Sequence, residues 1–253
     1  MEIILLLVFA VGLNLLLFLP AYFFKTDKLT DVSYGATFAS LAVLAFFLNS
    51  QDGLKAVLLL MILLWAARLG GFLFLRISKI KRDKRFDGIR ENFSRFFTFW
   101  GLQGISVWII LLPSLFFFQL SKTSLSALSL FGLAVWVLGL SMETVADWQK
   151  FKFKQNPKNA GNWIEQGLWK YSRHPNYFGE ILNWLGIYLF VFGSLSVFGG
   201  LVGFLSPLYI SFLLIFVSGI PKLEKEADKR WGGDKNYLSY KKRTSVLIPF
   251  LDF

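Results

Sequence analysis

Three groups of polar side chains interrupt an otherwise apolar chain, and each combines residue types that can do chemistry. The segment Tyr171-Ser172-Arg173-His174-Pro175-Asn176-Tyr177-Phe178-Gly179-Glu180 holds the only histidine and leads into an apolar run. Pro175 suits a first helical turn, and Asn176, Glu180 and Asn183 then fall at i, i+4 and i+7 along one stripe. A carboxylate between two amides on an apolar helix must face a polar cavity or another polar helix. A lone histidine such as His174 is more often a structural hydrogen-bonding group than a catalytic one. Glu143 and Asp147 stand four apart where another apolar run ends, so a helix there projects both carboxylates from one face. Like charges at that spacing repel, and a helix C-terminus disfavours them, so a donor or a cation is expected nearby. An amide, a ribose hydroxyl or an arginine would serve; a solvated helix end with Lys150 and Lys154 beside it is the plainer alternative.

The third group is cationic. Lys79 to Glu91 carries Lys81, Arg82, Lys84, Arg85 and Arg90 interleaved with Asp83, Asp87 and Glu91. Arginines in that mixture form either a phosphate-gripping site or a polybasic membrane anchor. Arg68, within Leu64-Trp65-Ala66-Ala67-Arg68-Leu69-Gly70-Gly71, sits in an apolar run. A guanidinium there costs at least about 2.5 kcal/mol unless it is paired, hydrated or snorkelling to the headgroups. Pro221 to Trp231 reads as an amphipathic helix of charges paired at four-residue spacing, with Tyr237 and Tyr240 following it.

The elements that must position these groups are membrane spans. Of 253 residues, 55% are hydrophobic and 17% charged, too apolar for an ordinary soluble domain. Seven apolar runs are predicted to cross: Ile3 to Phe24, Ser33 to Leu48, Leu54 to Leu75, Phe96 to Phe118, Ser124 to Met142, Tyr177 to Phe192 and Phe198 to Ile220. The run from Tyr177 is short enough to be tilted or re-entrant. Of the 27 lysines and arginines, 24 fall in connectors on one side. The positive-inside rule then places the amino terminus outside and the carboxyl terminus in the cytosol. The expectation is an all-α polytopic bundle, a single membrane domain over residues 1–253. Loops 76–95 and 143–176 and tail 221–253 form its cationic face, in a bacterial inner membrane or the endoplasmic reticulum.

Several classes are excluded. The net charge of +11 resides in connectors that meet headgroups or anionic ligands, so nucleic acid is not the expected partner. With no cysteine and one histidine, thiolate metal sites, a thiol nucleophile and paired-histidine metal motifs are absent; no metal is expected. No Walker loop or strand-borne GxGxxG is present.

The segment Tyr171 to Glu180 resembles the signature of the steroid 5α-reductase-like membrane superfamily. The similarity extends to Leu102-Gln103-Gly104, to Glu143 and Asp147, and to Tyr240 through Leu247-Ile248-Pro249-Phe250. It implies a seven-helix, NADPH-dependent oxidoreductase that reduces a carbon-carbon double bond conjugated to a carbonyl in a lipidic, 3-oxo-Δ4-steroid-like substrate. Family cofactor contacts would fall on Arg82, Arg90, Glu143, Asp147, Lys154, Arg173, His174, Asn176, Glu180, Lys222 and Tyr240. Substrate contacts would fall on Trp65, Arg68 and Gln103. The cations suit the pyrophosphate and 2′-phosphate, while the carboxylates and Asn176 suit ribose and carboxamide. The family's carboxylate near the start of the second span is matched by Asp31, with Tyr34 about one turn on. The family's tyrosine in the third span is replaced by Trp65, which donates a hydrogen bond but delivers no proton at a useful pKa, so Tyr34 is the expected proton donor. Isoprenylcysteine carboxyl methyltransferases and sterol reductases look similar around Arg173-His174-Pro175. An S-adenosylmethionine-dependent methyltransferase is thus one alternative, though that cofactor carries no phosphate for the connector arginines. A non-catalytic lipid-binding protein is another, and it leaves Glu180 and Asn183 unexplained.

Overall fold

A computed structural model describes residues 3–79 and 86–251, without the side chains of residues 31 and 73–79. The described chain is helical: α1 (Ile3–Phe23), α2 (Lys28–Phe47), α3 (Gly53–Lys79), α4 (Phe93–Phe118), α5 (Ala127–Gln155), α6 (Pro175–Phe192), α7 (Val197–Gly203), α8 (Leu205–Phe212), α9 (Ile220–Trp231) and α10 (Lys235–Arg243). Six helical stretches among the described residues are long and apolar enough to cross a membrane: α1, α2, α3 from Gly53 to Phe72, α4, α5, and the apolar part of Val197–Trp231, ahead of the charges that begin at Lys222. Leucine and phenylalanine side chains face outward along them, Phe23 and Leu201 more than 70% exposed, as lipid solvent allows. The protein is an all-α integral membrane protein. α6 has 18 residues and starts at Pro175, as expected; its polar stripe makes it less apolar than the other six.

Two boundaries depart from expectation. α5 does not stop near Met142 but runs to Gln155, because Val145 to Lys154 keeps good helix formers and no glycine or proline intervenes. Glu143 and Asp147 therefore lie inside a helix, and the C-terminal dipole argument does not apply to them. The last apolar run is not one smooth helix. A break at Phe204 separates α7 from α8, and Leu213–Val217 forms a π turn in which the Ser218 amide donates to Leu213 O at 2.8 Å.

The chain divides into two compact units. Unit one comprises Met1–Leu130 and Ile187–Ser206. Here α1 packs on α4, and a Cβ at Gly104 would stand 2.8 Å from Val11 Cα, so only glycine permits that approach. α2 packs on α3 and on α1, and α7 covers α4 near Pro113. Lys55, fully buried, donates from Nζ to Ser50 O (2.6 Å), Ser50 Oγ (3.1 Å) and Leu120 O (2.5 Å), tying two connectors together. Unit two comprises Phe131–Gly186 and Pro207–Phe253. Its centre is the contact of α5 with α6. A Cβ at Gly139 would meet Asn183 N at 2.7 Å and Gly179 O at 2.8 Å, and one at Gly186 would meet Trp136 N at 2.5 Å. The two backbones touch because glycines repeat every seven residues, Gly132 and Gly139 against Gly179 and Gly186.

Candidate functional site

The close approach of α5 and α6 places their polar stripes opposite one another. Asn183 Nδ2 donates to Glu143 Oε2 at 2.8 Å, and Asn176 Nδ2 donates to Asp147 Oδ1 at 3.1 Å. The antiparallel order matches low numbers on α6 with high numbers on α5, so the two rungs interleave with the glycine contacts. Glu143 (5% exposed) and Asn183 (0%) are buried, whereas Asp147 and Asn176 are half-buried. Each amide-to-carboxylate bond is worth about 1.5–3 kcal/mol. Glu180, also buried, accepts from Trp184 Nε1 at 2.9 Å one turn along α6. Asn183 Oδ1 is buried with no hydrogen-bond partner among the described residues, so this face offers an acceptor beside the carboxylates. The carboxylate pair thus meets the donors its spacing called for, and they are amides.

The turn ahead of α6 is fastened to the chain's end. Arg173 donates to both oxygens of Glu224 on α9 (3.2 and 3.0 Å) and, from one Nη, to Lys241 O (2.5 Å) and Thr244 O (3.0 Å). The Arg173 amide donates to Ser245 O at 2.8 Å and Ser172 Oγ to Leu247 O at 2.7 Å. His174 Nε2 lies 2.9 Å from Glu224 Oε1. Tyr240 donates to the Trp169 carbonyl at 2.8 Å, and the buried Trp169 indole donates to Ala146 O at 3.0 Å, so Trp169 ties α10 and α5 to the turn. Lys150 Nζ stands 4.3 Å from the centre of the Trp169 ring. Lys154 and Lys222 are exposed on α5 and α9. Burial alone would raise the Glu224 carboxyl, but the His174 hydrogen bond and the Arg173 guanidinium bring it down to about 2. Burial lowers the His174 pKa, against the pull of Glu224, and Lys150 and Arg173 push the same way as burial. The ring is thereby kept neutral near pH 7.

Unit one holds the other expected residues. Tyr34 is half-buried, its ring edge-on to Phe38 at 5.0 Å, and Phe38 is edge-on to the fully buried Trp65 at 4.8 Å. Arg68, one turn beyond Trp65, places its guanidinium 5.9 Å from the Phe72 ring centre. Gln103 Nε2 donates to Asn14 Oδ1 (3.1 Å), Thr30 O (3.0 Å) and Ser33 Oγ (2.9 Å). Arg90 is 5% exposed, bonded to Asp27 (3.1 Å), Glu91 (3.1 Å) and Asp87. Arg82, with Lys81, Asp83, Lys84 and Arg85, lies outside the described residues, and so does the Asp31 side chain.

Two residues central to these clusters were not singled out from sequence. Glu224 was hidden among charges pairing at four-residue spacing, and its real partners lie 50 and 51 positions away. Asn14, a lone amide in the first apolar run, did carry a signal, since a polar group in a span needs a partner. It donates to Thr37 Oγ1 at 3.0 Å.

The family model described as "Protein of unknown function (DUF1295)" matches residues 17–244. Over 123 residues the chain is 32% identical to "3-oxo-5-alpha-steroid 4-dehydrogenase 1" of Macaca fascicularis, a stretch covering 48% of this chain and 41% of that protein. The chain thus aligns with less than half the length of that relative. No solved structure matches.

Proposed function

We propose a function from one established premise: this chain belongs to the DUF1295 family. Its similarity to a 3-oxo-5-alpha-steroid 4-dehydrogenase supports reading it as an NADPH-dependent membrane reductase acting on a carbon-carbon double bond conjugated to a carbonyl in a lipidic molecule. The observation that carries the reading is the buried Glu143 and Asn183 pair, with its half-buried continuation Asp147 and Asn176 and the open acceptor Asn183 Oδ1. A ligand rich in hydroxyl and carboxamide donors suits that set of acceptors.

NADPH, when bound, supplies a hydride. In unit two, Asp147 and Asn176 would hold ribose hydroxyls, Glu143, Glu180 and Asn183 would orient the carboxamide end, and the exposed Lys154 and Lys222 would meet phosphate. Arg173, with its donors on Glu224, Lys241 O and Thr244 O, and Tyr240, bonded to Trp169 O, act by holding the turn before α6 in place. Arg90, within reach of three carboxylates, shapes its connector in the same way. In unit one, Tyr34 would hold the proton for a carbonyl oxygen as enolate charge develops, Asp31 is the carboxylate the family resemblance pairs with that role, and Trp65, Arg68 and Gln103 would line the substrate side. α6 serves as the seventh span, with the amino terminus outside and the basic connectors in the cytosol, by the positive-inside rule.

Thermal unfolding of the purified protein tests the cofactor. NADPH at about 100 times its Kd is expected to stabilise by about 2.7 kcal/mol. S-adenosylmethionine at the same concentration is expected to do little. The reverse order rejects the reductase in favour of methyl transfer.

A further inference from the structure

Glu224 has no part in the chemistry above, yet four donors converge on it: Arg173 Nε (3.2 Å) and Nη2 (3.0 Å), His174 Nε2 (2.9 Å) and Lys241 Nζ (3.4 Å). A carboxylate so surrounded by cations stays ionised and can only accept, so the imidazole nitrogen facing it must carry the proton. Nδ1 is then the lone-pair nitrogen of the neutral ring. It is buried, in a residue 4% exposed, and has no hydrogen-bond partner among the described residues. The ring cannot readily turn to change this. It lies parallel to Tyr177 (8°, centroids 5.6 Å apart), and its own backbone amide donates to Ser172 Oγ at 3.1 Å. A second proton on Nδ1 would make a buried donor without an acceptor among the described residues, in a ring already acted on by the cations Lys150 and Arg173.

We propose that Glu224 is a positioning residue that fixes His174 as its Nε2–H tautomer and thereby makes Nδ1 the acceptor for an N–H or O–H donor of a ligand. The tautomer half stands on this geometry alone. The ligand half rests on the cofactor reading above, in which the donor is a carboxamide N–H or a ribose O–H of NADPH. Unlike a purely structural ion pair, this arrangement leaves one ring nitrogen without a partner among the described residues, and a tautomer selected for it.

His174 is the only histidine in the chain, so selective nitrogen-15 histidine labelling gives an unambiguous pair of ring signals. In the full-length protein at pH 7 without ligand, Nε2 is expected to be protonated and Nδ1 pyridine-like. Glu224→Gln keeps an acceptor and should keep that tautomer; Glu224→Ala should give a mixture of tautomers. A wild-type ring protonated on Nδ1, or an alanine variant with an unchanged spectrum, overturns the proposal. If the alanine variant does not fold, the wild-type and glutamine spectra decide. Saturating NADPH, its binding checked by thermal stabilisation, should move the Nδ1 signal toward hydrogen-bonded values and leave Nε2 nearly in place. NADPH that stabilises the protein without moving Nδ1 refutes the acceptor role and leaves the cofactor reading intact. NADPH that does not bind refutes both the cofactor reading and the ligand half, while the ligand-free spectrum still decides the tautomer.

Discussion

Replacing Gly139 by alanine perturbs a backbone contact on which the α5 and α6 polar ladder depends. The new methyl would lie 2.7 Å from Asn183 N and 2.8 Å from Gly179 O. Both are backbone atoms of a packed helix, so no side chain can swing away. Ordinary contact begins near 3.4 Å, and the helices must separate by about 0.7 Å. Overpacking of this kind costs about 1–3 kcal/mol. The same displacement stretches the Asn183 to Glu143 bond from 2.8 Å to the limit of useful geometry, a loss of about 1.5–3 kcal/mol where the acceptor is a buried carboxylate. A destabilisation of about 2.5–6 kcal/mol follows, a fall in Tm of roughly 5–20 °C for a chain of this length. Gly186→Ala, which would press on Trp136 N at 2.5 Å, should behave likewise. Gly101→Ala is the control: nothing lies within 4 Å of its Cβ, and alanine gains up to about 1 kcal/mol of helix propensity. Thermal unfolding in one detergent compares all three. If Gly139→Ala melts with Gly101→Ala rather than far below it, the backbone contact is wrong, and with it the placement of the ladder.

Acidification should weaken unit two in two steps. The folded-state pKa of His174 is lowered, so the unfolded chain takes up the proton first and stability falls as pH drops below about 6.5. Glu224, held at about 2 against an ordinary 4.5, contributes stability that is full above 4.5 and lost as pH falls toward 2. Glu224→Gln should therefore flatten the Tm profile below pH 4.5, and an unchanged slope there would show that another group carries it. Arg90→Ala leaves Asp27, 4% exposed, beside two further carboxylates and should destabilise by about 3–5 kcal/mol; a loss under 1 kcal/mol in denaturation would mean the cluster is solvated. Tyr34→Phe should lower turnover at least tenfold with NADPH affinity unchanged, and equal turnover clears it of proton donation.

Much of this was readable in the chain. Pro175 opens α6, the stripe Asn176, Glu180 and Asn183 announced a polar partner, and the charged run after Ile220 is a helix. The seven-residue spacing of Gly132 with Gly139 and of Gly179 with Gly186 is also present in the sequence, but a glycine pair names no partner until two helices meet. The drop in hydropathy at Met142 predicts a helix end at Glu143 and Asp147; helix propensity does not follow hydropathy, and the helix continues. Glu224 could not be found locally at all. Its neighbours three and four positions away, Ile220, Pro221, Ala227 and Asp228, offer no cation, while the fold brings Arg173 and His174 from across the unit.

In the proposed function the α5 and α6 ladder holds a phosphorylated nicotinamide. Its most direct test is the NADPH binding isotherm of Asp147→Asn with Asn176→Ala, a pair at the half-buried end where folding is least at risk. With charge and amide removed and Tm within a few degrees of wild type, affinity is expected to fall at least tenfold, about 1.4 kcal/mol. An isotherm that overlays the wild type would contradict the account.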